Sequence, residues 1–146
     1  MTHPNAHIAM QGIRHDGQRL STQTPKPVVW QFLRNVEPWL RGHLNTQQYA
    51  EAAYYYAYAL MLVGAPAAQV EQFAQPARAL SMEHRMWFIN IAASCLGIWI
   101  YRDLRPKEGL ALLRRCAVVF ARSWRPTPQV YAHGMGIITR MQEQFN

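Results

Sequence analysis

Six histidines, two cysteines and eight carboxylates are the residues of this 146-residue chain whose chemistry could support catalysis or metal binding. Metal ligation needs them at ligand spacing, such as two histidines one helical turn apart or a paired CxxC. The histidines at 3, 7, 15, 43, 84 and 133 meet neither pattern, since they are scattered among segments with no nearby thiol. His84 and His133 read as helix-surface or interface residues. The carboxylates Asp16, Glu37, Glu51, Glu71, Glu83, Asp103, Glu108 and Glu143 are equally dispersed, so no pair suggests acid and base working across one bond. Gly134 and Gly136 permit close helix packing, and no phosphate-loop lysine follows them. Neither enzymatic activity nor a cofactor or metal is expected.

Two other residue sets could recognise a partner. The run Tyr54-Tyr55-Tyr56-Ala57-Tyr58, if helical, must point rings in several directions, and an exposed tyrosine is a good interface anchor. The second set is basic. The formal charge is +7, and residues 81–146 carry a surplus of five positive charges. Arg102, Arg105, Lys107, Arg114, Arg115, Arg122 and Arg125 crowd into one stretch, a patch that attracts acidic protein, anionic lipid or nucleic acid.

The elements that must position these residues are helices. Residues 1–25 show no sustained apolar period and read as a mobile N-terminal arm, followed by a single domain over 26–146. Val29, Trp30, Phe32, Leu33 and Val36 fall at helical spacing, and Pro38 either kinks that helix or opens a second short one. Asn45 and Thr46 are good caps for a helix through the tyrosine run, which Gly64 stops. Val70, Phe73, Ala77 and Leu80 share the face of the next helix, which Pro76 interrupts unless it is tolerated as a kink. Residues Glu83 to Asp103 form an apolar and therefore central helix. Its 16-residue apolar core, Met86 to Tyr101, is short of the roughly 20 residues of a membrane span. After Leu104-Arg105-Pro106, Leu110, Leu113, Ala117 and Phe120 line one stripe, and a last helix carries Val130, Ile137, Ile138 and Met141 inward. No segment alternates long enough to be a strand. The expected class is all-α, stacked antiparallel helical hairpins with about 5–7 helices.

A shift of 40 residues places Ala57 on Gly97, Leu60 on Ile100, Pro66 on Pro106, Val70 on Leu110 and Ala77 on Ala117. Such self-similarity predicts two successive hairpins that stack to bury a shared core. Gly97 is then expected to be the close-approach point for the helix carrying Leu110 and Leu113.

The order Leu96-Gly97, Ile100, Gly109-Leu110, Leu113, Cys116-Ala117 resembles the tetratricopeptide repeat. Gly109 stands where alanine is usual, and Leu104 replaces the turn glycine. In size and layout the chain is similar to type III secretion translocator chaperones. That resemblance implies a bacterial, cytoplasmic protein that holds another protein in a concave groove. The absence of a continuous apolar leader among the first residues, and cysteines at 95 and 116 inside helical patterns, also fit a reduced compartment.

Repeats of this kind bind through the first helix of each hairpin, so Tyr55, Tyr58, Asn90, Ser94, Tyr101 and Arg102 are the expected partner-binding residues. The partner is another protein, as peptide or helix, and homodimerisation is a further expectation. The alternative is a basic all-α nucleic-acid-binding domain in which Arg105, Lys107, Arg114, Arg115, Arg122 and Arg125 contact phosphates, with the steep salt dependence such contacts impose.

Overall fold

The computed structural model describes residues 4–100, Lys107, Ala111, Arg114 and residues 128–145. The described residues are all-α: six α-helices and one short 3-10 turn, with no strand among them. The helices are α1 (Ala6–Gln18), α2 (Lys26–Val36), α3 (Thr46–Leu62), α4 (Ala67–Glu83), α5 (Trp87–Ile100) and α6 (Pro128–Phe145).

The first helix falls where the sequence suggests an unpacked arm. Ala6, Met10, Ile13 and Gly17, spaced by three and four, are buried, and Leu20 follows them into the core. This stripe is one residue wide and half of it is small, too faint to register as an apolar period. It nonetheless docks on α3, so residues 6–20 belong to the domain. Helix α2 opens with Pro27 in its first turn, buries Val29, Phe32, Leu33 and Val36, and runs directly into the 3-10 turn Glu37–Leu40.

Helix α3 starts at a full capping box. The Asn45 side chain accepts from the Gln48 backbone N–H at 2.8 Å, and the Gln48 side chain accepts from the Asn45 N–H at 3.0 Å, satisfying two donors that a helix start leaves open. Twelve of its 17 residues are buried. Helices α1, α2, α4 and α5 all touch it, and rings of α6 reach its tyrosines. The central helix is therefore α3, and α5, expected to be central, is a neighbour. Alanines at 50, 52, 53, 57 and 59, all buried, let so many helices approach one axis.

Two tight turns then fold α4 and α5 back in succession. Helix α3 ends with the Ala65 N–H bonded to the Leu60 carbonyl at 3.0 Å and Gly64 N–H to Met61 at 3.1 Å. Gly64 has φ +81°, the left-handed conformation this cap requires. Helix α4 ends identically, with Met86 N–H to Ser81 at 2.8 Å and Arg85 N–H to Met82 at 3.3 Å. Here the left-handed position, φ 55°, is filled by Arg85. Glu83 is therefore the last residue of α4, and α5 begins four residues later than the sequence implied. Pro76 lies inside α4 without ending it. Gln72, whose carbonyl loses its helical donor to the proline ring, is exposed. The turn at 104–106, and with it the hairpin pairing Gly97 with Leu110 and Leu113, lies outside the described residues.

Candidate functional site

The residues expected to line a partner groove separate in the structure. Tyr55 and Tyr58 are both 0% exposed, because α3 is enclosed on the sides they face, and neither can meet a partner in this fold. Asn90 is half-buried and donates to the Arg78 backbone carbonyl at 3.2 Å and to Ser81 Oγ at 3.3 Å, stitching α5 to α4. Ser94 is exposed, and its hydroxyl donates to the Asn90 carbonyl one turn back at 2.7 Å. Tyr101 and Arg102 lie outside the described residues. So do Arg105, Arg115, Arg122 and Arg125; Lys107 and Arg114 are exposed and helical.

Tyr55 instead anchors a polar bridge between α1 and α3. Arg14 Nε and Nη2 donate to the two Glu51 oxygens at 2.7 and 2.8 Å, a bidentate pairing that fits guanidinium to carboxylate. The Tyr55 hydroxyl donates to Glu51 Oε2 at 3.2 Å and accepts from Gln18 Nε2 at 3.4 Å. A second ion pair, Arg78 with Glu71, joins two turns of α4.

On the far side of α3, His133 of α6 enters an aromatic cage. Its ring centroid lies 4.4 Å from that of Tyr58, 5.4 Å from Tyr54 and 6.0 Å from Tyr55. Both imidazole nitrogens and the Tyr54 and Tyr58 hydroxyls are buried without a hydrogen-bond partner among the described residues. Burial lowers the His133 pKa from the ordinary 6.5 to about 4 and raises those of Tyr54, Tyr55 and Tyr58, desolvation being the leading cause in each. Desolvation of this kind disfavours whichever form carries charge. Among the described residues the imidazole packs against the three tyrosine rings. Among the described residues, no group of three or more His, Cys, Asp or Glu could hold a metal ion.

An open concavity lies elsewhere, between the end of α1 and the first three turns of α2. It encloses about 460 Å³. Leu20 and Phe32 form its buried floor, and Pro27 and Val28 its exposed wall. The rim is Asp16 and Arg19 from α1 with Gln31 and Asn35 from α2, close to neutral in sum. Val28, Gln31, Phe32 and Asn35 share one stripe of α2 because they are spaced by three, one and three. Val28 leaves 54% of its surface exposed, and Trp30 on the same helix leaves 46%. Sequence reasoning passed over this groove because one side of it, Asp16, Arg19, Leu20 and Thr24, falls in the segment read as an arm. The available signal was the pair Val28 and Trp30, apolar residues on α2 that flank the core position Val29.

No helix among the described residues is long and apolar enough to cross a membrane. Comparison with family models, curated proteins and solved structures gives no match.

Proposed function

We propose that this chain is a protein-binding helical adaptor of the chaperone type, which takes an apolar segment of a partner protein into the groove between α1 and α2. The observation that carries the reading is the groove itself: an apolar floor and wall, Leu20, Phe32 and Val28, inside a polar rim. That is the anatomy of a peptide-binding surface.

The finer proposal is a tetratricopeptide-like chaperone of bacterial secretion, acting in the cytoplasm. Its support is layout: the back-folded helices α3, α4 and α5, flanked by an N-terminal helical region and a closing α6. In this proposal the binding residues move from the tyrosine run of α3 to α2.

A photo-crosslinking amino acid placed at position 28 would capture the occupant in the native host, and the captured segment, made as a peptide, would be titrated against Trp fluorescence. Saturable binding, weakened at least about tenfold, some 1.4 kcal/mol, by Val28→Asp with unchanged melting, is expected. The phosphate-binding reading keeps the exposed Lys107 and Arg114 in its favour. Duplex DNA binding that falls steeply with salt and ignores Val28→Asp would replace the adaptor reading with that one.

A further inference from the structure

The buried stripe of α6 consists of His133, Gly136, Ile137, Ile138 and Met141, and His133 is its one ionisable member. Helix α6 packs along α5, and a β-carbon at Gly136 would overlap the Tyr58 hydroxyl, so at that point its backbone also meets the tyrosine face of α3 as closely as backbone and ring allow. His133 is 1% exposed and sits where the two helices meet. The groups facing it from α3 are Tyr54, Tyr55 and Tyr58, uncharged at neutral pH. Behind Tyr55, Glu51 is already engaged by Arg14 of α1. From α5, Cys95 lies near Tyr54. On α6 itself, Arg140, whose Nε is buried without a partner among the described residues, pairs with Glu143, about two or more turns away. A proton added to His133 would thus create a buried cation with neither a carboxylate nor a hydrogen-bond acceptor aimed at it among the described residues.

We propose that α6 is an acid-releasable cover: protonation of His133 detaches it from α5 and from the tyrosine face of α3 while α3, α4 and α5 stay folded together. Release uncovers two apolar surfaces at once, the Tyr54 and Tyr58 face of α3 and the Ile137, Ile138 and Met141 stripe of α6. The proposal is independent of the α1–α2 groove. The core of α3 to α5 has its own joints, the two turn caps and the Asn90 bridge, and none of these bonds is made by a histidine side chain. Acid that breaks the Arg14 and Glu51 bridge would loosen α1, on another side of α3.

The sign follows from linkage. With the docked imidazole at about 4 and the released one near 6.5, the released state binds more protons, so docking is full above pH 6.5 and weakens as pH falls toward 4. The opening equilibrium of α6 should rise about 30-fold between pH 8 and pH 5. Hydrogen exchange of the full chain, corrected for intrinsic rates, would follow peptides from 128–145 and from 46–62. The expected result is that rise in α6 alone, abolished by His133→Leu. Simultaneous opening of α3 and α6, or the same pH dependence in His133→Leu, would overturn the proposal. Should that variant not fold, the ring-carbon NMR titration of His133 in the parent decides: a midpoint near 4 supports it, and one near 6.5 sinks it.

Discussion

Gly97 of α5 lies against the Arg78 guanidinium of α4: a β-carbon at position 97 would stand 3.1 Å from Nη1 and 3.4 Å from Cζ. Arg78 cannot readily swing aside, because Glu71 holds its other nitrogen and Asn90 binds its backbone carbonyl. Gly97 is thus a close-approach position, and the helix that approaches among the described residues is α4.

A leucine at 97 must displace this clamped guanidinium. Gly97→Leu should cost about 1–3 kcal/mol by overpacking, whereas in Gly97→Ala the gain in helix propensity, about 1 kcal/mol, offsets most of a milder clash. Denaturant melts of Gly97→Leu, Arg78→Ala and the double variant would read the coupling. An interaction energy above about 0.5 kcal/mol is expected, and strict additivity would remove Arg78 as the obstacle.

Two glycines of α1 should respond in opposite directions to the same substitution. At Gly17 a β-carbon would fall 2.6 Å from Cγ and 2.8 Å from Cδ1 of Tyr55, the body of a fully buried ring, while at Gly12 nothing lies within 4 Å. Gly12→Ala should stabilise by about 0.5–1 kcal/mol, and Gly17→Ala should destabilise by about 1–3 kcal/mol. Equal effects in chemical denaturation would mean that α1 is not docked on Tyr55.

The cap that ends α4 uses an arginine where glycine belongs. At φ 55° the Arg85 β-carbon crowds its own carbonyl, a strain of about 1 kcal/mol. Part of the relief in Arg85→Gly is lost to the freer unfolded chain. A net gain of about 0.5–1 kcal/mol is expected, which calorimetry would register as a Tm increase of about 2–4 °C for each kcal/mol. A lower Tm would show that the Arg85 side chain makes contacts worth more than the backbone strain.

That same arginine explains one boundary the sequence concealed. Gly64 announces the end of α3, and Asn45 with Gln48 announces its start; both are written in residue types with a single mechanism. Arg85 carries no such mark, so the apolar run after it was extended back to Glu83. The core face of α1 was hidden for a related reason: Ala6 and Gly17 contribute by being small, which an apolar period does not count. The tyrosine run misled differently. Consecutive rings must diverge, but α3 is enclosed by neighbours in nearly every direction, so of Tyr54, Tyr55, Tyr56 and Tyr58 only Tyr56 is even partly exposed. How many helices surround a given helix is a property of tertiary arrangement, and local pattern does not contain it.

The buried tyrosines carry a prediction in alkali. Burial raises the Tyr54, Tyr55 and Tyr58 hydroxyls above the ordinary 10.0, with the Glu51 charge adding to the effect at Tyr55. Above pH 10 the unfolded chain therefore releases protons that the folded chain retains, so stability is full below pH 10 and falls as pH rises beyond it. Absorbance at 295 nm, followed beside helical circular dichroism, should show the three caged rings ionising only together with the cooperative loss of helix. If all tyrosines ionise near pH 10 while the helices remain intact, the cage is open to water and the close seat of α6 on α3 is wrong.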